Sequence, residues 1–140
     1  MHKILIPVDA SEYARRAVQF AVAEARVNPG MELILLNVQE EIEPRVHALL
    51  KHDQIKAVQE QEAARVLEPL QKLLTDAGVS HRTEWRSGPI AQAIDTYASE
   101  NGCDAIIMGT RGMGAVGNLV MGSTATKVIH LVDIPVTLVK

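Results

Sequence analysis

A parallel α/β fold, one sheet with helices on both faces, is what this sequence predicts, and three observations predict it. Near-continuous apolar runs, as in strands buried on both faces, alternate with segments whose apolar residues recur at helical spacing. The alternation is strict and leaves no room for the hairpins of an antiparallel sheet. The composition is 47% hydrophobic but only 3% aromatic, so the core is aliphatic, built from Val, Ile, Leu and Ala. At 140 residues and 15.3 kDa the chain is expected to form one domain, 1–140. A chain of that length buries about 68–70% of the surface it exposes when unfolded and needs no covalent staples.

The elements follow in order. Ile4-Leu5-Ile6-Pro7-Val8 is a strand buried on both faces. Ala14, Ala17, Val18, Ala21, Val22 and Ala25 then mark a helix that Asn28-Pro29-Gly30 stops. Leu33 to Val38 reads as a second buried strand, and residues 39–51 have no clear period and form a connection. A longer helix lies between His52 and Ala77, with Ala63, Val66, Leu67, Leu70 and Leu74 on one face and Gly78 closing it. Pro69 falls inside that pattern and is expected to kink it, since it removes the bond to the carbonyl of Arg65. Val79 to Arg86 alternates with Ser80, Arg82 and Glu84, as a half-exposed edge strand does. Gly88-Pro89 opens a helix carrying Ile90, Ala93, Ile94, Tyr97 and Ala98, which Asn101-Gly102 closes. Asp104 to Met108 is a fourth strand, Ala125, Val128, Ile129 and Val132 mark a last helix, and Pro135 to Val139 is the last strand.

Charge and composition exclude several functions. Fourteen Lys and Arg against seventeen Asp and Glu give a net charge of −3, with no basic excess for nucleic acid or an anionic membrane. Cys103 is alone, so a disulfide and a CxxC motif are impossible within the chain, and it reads as a small hydrophobe beside a strand. The histidines at 2, 47, 52, 81 and 130 form no HExxH pair, and no metal site from protein side chains is expected. The first apolar run is too short for a signal peptide, and no run reaches the ~20 apolar residues of a membrane span. The expected location is the cytoplasm, without membrane insertion.

The informative segment is a loop. Five of the nine glycines fall between 109 and 122, in Gly109-Thr110-Arg111-Gly112-Met113-Gly114-Ala115-Val116-Gly117 and then Gly122-Ser123-Thr124. They follow a buried strand and precede a helix. Glycines let the backbone approach phosphate oxygens, and a helix N-terminus offers unpaired N–H groups and a positive dipole. Arg111 adds a charge, Ser123 and Thr124 add hydroxyl donors, and no carboxylate lies inside the loop. The bland alternative is a flexible loop with Ser123 as an ordinary N-cap. A P-loop is excluded, because no lysine follows a suitable glycine. Gly112 to Gly117 does match GxGxxG, with Asp133 about twenty residues on. That fingerprint belongs in a first strand–helix turn, however, and the match is coincidental. A receiver domain needs an acidic pair after the first strand, where Asp9 stands alone. No GxSxG elbow or catalytic triad is present, and no catalytic residue is assigned.

Gly109-x2-Gly112-x9-Gly122-Ser123 resembles the nucleotide-binding signature of the universal stress protein family, spacing and terminal hydroxyl included. Ile4 to Glu12 resembles the family's first strand and turn, Leu35 to Val38 its second strand, Ala105 to Gly109 its fourth and Ile134 to Val139 its last, so the likeness covers the chain in order. Asn37 and Arg111 stand where the family often has His, and Met113 replaces a basic residue.

The resemblance implies an open five-stranded parallel sheet of order 3-2-1-4-5, Rossmann-like, binding ATP, with or without Mg²⁺, at the switch between strands 1 and 4. It implies that Pro7 packs on the adenine, that the backbone of Val38 bonds its edge, and that Asp9 and Gly109 meet the ribose. Thr110, Arg111, Gly112, Met113, Gly114 and Ala115 would wrap the phosphates, closed by Gly122, Ser123, Thr124 and Ala125. For Asp9 the competing reading is an N-cap of the first helix, a role for which Ser11 is the rival. Gly122→Val is expected to block the phosphate path and to resist any positive φ.

The expected function is that of a nucleotide-dependent regulatory or stress-response protein with at most slow ATP hydrolysis. An adenylyl- or phosphoryl-transfer enzyme on the same scaffold and an interaction module whose loop holds only an anion are the alternatives. In the 3-2-1-4-5 order the last strand, Pro135-Val136-Thr137-Leu138-Val139, is an uncharged open edge, and a homodimer paired along it is expected. Thr137→Pro would disrupt that pairing if the Thr137 N–H faces outward.

Overall fold

The computed structural model describes residues 2–41, 48–112 and 121–140. Its described elements are β1 (Lys3–Pro7), α1 (Glu12–Val27), β2 (Glu32–Gln39), α2 (His52–Asp76), β3 (His81–Ser87), α3 (Ile90–Glu100), β4 (Ala105–Gly109), α4 (Ser123–Leu131) and β5 (Val136–Val139). The five strands form one sheet of order β3-β2-β1-β4-β5, every neighbouring pair parallel.

The alternation of side chains along each strand divides the core in two. Ile4, Ile6, Leu33, Leu35, Ala105 and Ile107 face α1 and α2. Leu5, Ile34, Leu36, Ile106 and Met108 face α3 and α4. The small residues of α1 (Ala14, Ala17, Ala21 and Ala25) let that helix lie close on β1 and β4, and all are buried, as their spacing predicts. None of the described helices is long and apolar enough to cross a membrane.

Element ends follow their chemistry. Ser11 caps α1, its Oγ accepting from the Ala14 N–H at 3.2 Å. Helix α2 ends in a turn with Gly78 at φ +68°, its N–H donating to Thr75 O, as the left-handed closing residue requires. Helix α2 also continues through Pro69 to Asp76 as one element, and Pro69 is exposed, on the side away from the sheet. Of the connection expected at 39–51, Gln39 completes β2 and residues 42–47 lie outside the described residues. Strand β4 starts one residue later than expected: Asp104 turns its carboxylate onto the N–H groups of His2 and Lys3, 2.9 Å each. In α3 the inward positions are Ala91, Ile94, Tyr97 and Ala98, with Ile90 and Ala93 only half-buried.

Candidate functional site

The strand order reverses between β1 and β4, and a crevice opens there beyond the carboxyl ends of the strands. It holds a cleft of about 500 Å³. Of the residues singled out from the sequence, Pro7, Asp9, Val38, Gly109, Arg111, Gly112, Gly122, Ser123, Thr124 and Ala125 all line it. Met113, Gly114 and Ala115 lie outside the described residues.

One end of the cleft is apolar. Leu36 and Val38 of β2, Met108 of β4 and Ile90 and Ile94 of α3 line it together with Pro7. The β1–β2 ladder stops at Pro7↔Leu36, followed by one bond from the Val8 N–H to Leu36 O at 2.9 Å. Beyond it, Val38 is in register only with Arg86 of β3. Successive residues of a strand direct their main-chain groups to opposite neighbours. Leu36 bonds toward β1, and Gln39 accepts from the Gly88 N–H on the β3 side at 3.0 Å. The N–H and C=O of Val38 therefore point toward the β1 side, where the ladder has ended, and offer one donor and one acceptor to the cleft.

The other end is built from backbone. Helix α4 starts at Ser123 with Gly122 as its N-cap, so Ser123 is the first helical residue and not the cap. Among the described residues no side chain caps this end, and no acid stands in its first turn, so N–H groups and the positive end of the helix dipole face the cleft. Three glycines sit in close contact there. A Cβ at Gly109 would sit 2.7 Å from Tyr13 Cβ, one at Gly112 would collide with Asp9 Oδ2, and one at Gly122 would lie 3.2 Å from Arg111 Cα. Gly122 has φ −76°, which any residue adopts, so the expected conformational need is corrected to a steric one. The positive-φ glycines among the described residues are Gly78, Gly88 and Gly102, none in this loop.

Thr110 is buried and does not line the cleft. Its N–H donates to Val139 O at 2.9 Å and its carbonyl accepts from the Gly122 N–H at 2.7 Å, so it ties the two ends of the loop to each other and to β5. Asp9 lines the cleft and accepts the Ser11 N–H on Oδ1 at 2.9 Å, which leaves the capping of α1 to Ser11. Arg111 lies by Tyr13, its Nη1 donating to the phenol oxygen at 3.4 Å, and Arg16 stacks on the same ring, 4.9 Å from its centre.

Sequence reasoning missed Val8, Ala14, Leu36, Glu40, Ile90, Ile94 and Met108 in the lining. The apolar ones carry the pattern of core residues. The signal that finds Ile90 and Ile94 is position: a helix that begins directly after β3 puts its first turn at the carboxyl end of the sheet. Outside the cleft, burial pushes the Cys103 thiol up, which keeps it protonated and unreactive at neutral pH. Among the described residues no group of three or more His, Cys, Asp or Glu is placed to hold a metal ion.

Comparisons with known proteins agree over the whole chain. Residues 1–140 match the profile described as the Universal stress protein family. A universal stress protein of Synechocystis is 34% identical over 137 residues, 97% of this chain and 83% of the relative. The solved structure of MJ0577, a universal stress protein of Methanocaldococcus jannaschii, superposes with a TM-score of 0.85 at 32% identity, covering 99% of this chain and 94% of that one. An Arabidopsis thaliana family protein with AMP bound superposes with a TM-score of 0.73 at 18% identity, covering 100% and 92%, a likeness of fold.

Proposed function

The chain belongs to the universal stress protein family, and on that premise we propose that it is an ATP-binding regulatory protein of the stress response, with at most slow hydrolysis. The observation that carries the proposal is the meeting, in one cleft, of a helix N-terminus, whose cap residue Gly122 has no side chain, with three glycines that neighbouring groups approach closely. An anion of phosphate type suits that end, because N–H groups and the helix dipole converge there. The apolar end, with the exposed main-chain edge of Val38, suits a purine, and the AMP held by the Arabidopsis relative supports an adenine nucleotide.

In this reading Pro7 and Val38 take the base, Asp9 and Gly109 the sugar, and Arg111, Gly112, Gly122, Ser123, Thr124 and Ala125 the phosphates. Thr110 shapes the loop from behind, and Met113, Gly114 and Ala115 complete it. Mg²⁺ would arrive with the nucleotide, and the reading assigns it no protein ligand. Hydrolysis is slow because fast phosphoryl transfer needs a positioned base and a held metal. Of the two carboxylates that line the cleft among the described residues, Asp9 is held by the Ser11 N–H, and Glu40 stands at the base end. The protein works in the cytoplasm as a homodimer paired along Pro135–Val139.

Calorimetric titration tests the reading. The protein binds ATP in preference to GTP, and Gly122→Val loses the binding, since its branched side chain crowds the backbone of Arg111 and Gly112 at the phosphate end. Turnover stays well below the ~10 s⁻¹ median of enzymes. An ATP affinity unchanged in Gly122→Val would remove the loop from the site, and many ATP hydrolysed per second would favour a transfer enzyme.

A further inference from the structure

The tip of β2 has two faces. Leu36 and Val38 line the cleft, while Asn37 and Gln39 alternate with them and share the opposite face with Leu33 and Leu35, toward α1 and α2. Past Leu36 the tip has lost its ladder to β1 and hangs on β3, an edge strand. Side-chain amides replace the lost support. Asn37, 3% exposed, donates from Nδ2 to Val8 O at 2.9 Å and accepts on Oδ1 from Gln39 Nε2 at 2.6 Å. Gln59 reaches the same tip from α2. It is 7% exposed in the otherwise apolar inner face of that helix, and its Nε2 donates to Ser87 Oγ at 2.9 Å and to Glu40 O at 3.3 Å. Glu40 is two residues beyond Val38, and Ser87 is paired with Gln39.

A glutamine at a buried helix position carries a desolvation cost that leucine would not. Here its amide joins α2, the end of β3 and the tip of β2 into one hydrogen-bonded unit. We infer that Gln59 is a positioning residue for the base end of the cleft, holding the β2 tip from behind so that the Val38 main chain meets the edge of the base. The inference rests on the nucleotide reading above and deepens it: discrimination between adenine and guanine depends on a side chain that touches neither.

The experiment uses the full chain with Gln59→Leu, which keeps the volume and removes both donated bonds, and with Ser87→Ala, which removes one acceptor at an exposed strand end. ATP, AMP and GTP affinities are measured by calorimetry and the melting temperature alongside. Gln59→Leu is expected to melt within a few degrees of the unsubstituted protein and to bind ATP about three- to tenfold more weakly, the weight of one or two modest hydrogen bonds. GTP binding stays as it was, so the ATP:GTP ratio falls by the same factor, while the ATP:AMP ratio holds because the phosphate end is untouched. Ser87→Ala moves the ratio in the same direction by less. An unchanged ATP:GTP ratio in Gln59→Leu, or an affinity loss that only follows a fall in melting temperature, overturns the inference and leaves the nucleotide reading standing. Failure of the unsubstituted protein to bind any adenine nucleotide overturns both.

Discussion

At Gly109, Gly112 and Gly122 the absent side chain matters for what stands beside it: Tyr13 at the first, Asp9 at the second and the Arg111 backbone at the third. The spacing of these glycines is readable in the sequence, but their neighbours are not, because Tyr13 and Asp9 lie about a hundred positions earlier in the chain. Conformational freedom was the natural reading of Gly122, and close approach is what the fold uses. Asp104 is a second residue whose role no local pattern announces. Backbone N–H bonds from Lys3 and His2 hold its carboxyl below the usual carboxylate range. Since the folded value lies below that of the unfolded chain, near 3.9, the stabilisation is fully present above that pH and is lost as pH falls through the folded value. Asp104→Asn keeps an acceptor and removes the charge. Urea unfolding at neutral pH should show the variant less stable, with the difference closing as the solution is acidified into the range where Asp104 is protonated. A difference that persists undiminished in strong acid would assign the effect to packing instead.

At the scale of elements, hydrophobic period located all nine described strands and helices, because strands buried on both faces and one-sided helices leave different spacings. It was less informative about Pro69. The proline faces solvent, where water can satisfy the Arg65 carbonyl that loses its partner, and α2 continues to Asp76. Its missing bond is still a cost, and nothing packed on the sheet depends on the ring. Pro69→Ala should restore the donor and stabilise the protein by about 1–3 kcal/mol, read as a higher urea midpoint at unchanged slope. A lower midpoint would mean that the helix depends on the proline ring. Gln59 was invisible for a related reason: on α2 it reads as one more polar residue, and only the approach of β2 and β3 buries it.

At the scale of the whole molecule, β3 and β5 are the edges of the sheet, and they differ in chemistry. Strand β3 carries Arg82, Glu84 and Arg86, the first near Glu32 and the other two paired with each other. Strand β5 has no charged residue. Pro135 O and Val139 O accept from Ile106 and Thr110, so Thr137, in the same alternation, directs its N–H toward β4 and not outward. Thr137→Pro would therefore break the sheet itself and is the wrong probe of the proposed dimer. The exposed Thr137 side chain is the better handle. Thr137→Glu leaves the ladder intact and sets like charges together across a two-fold pairing, and light scattering should show a dimer for the unsubstituted protein and a monomer for the variant. A monomeric unsubstituted protein at micromolar concentration would end the dimer proposal. The central place of β1 also bears on how the chain is made. Its β2 neighbour follows soon after it, but its other neighbour belongs to a segment so distant that Lys3 and Asp104 are 101 residues apart. At roughly 5–20 residues per second, a ribosome spends about 5–20 s adding that stretch. Throughout that interval Ile4, Leu5 and Ile6 wait with one flank unpaired, so the nascent chain is adhesive along a strand whose centre the finished protein buries completely.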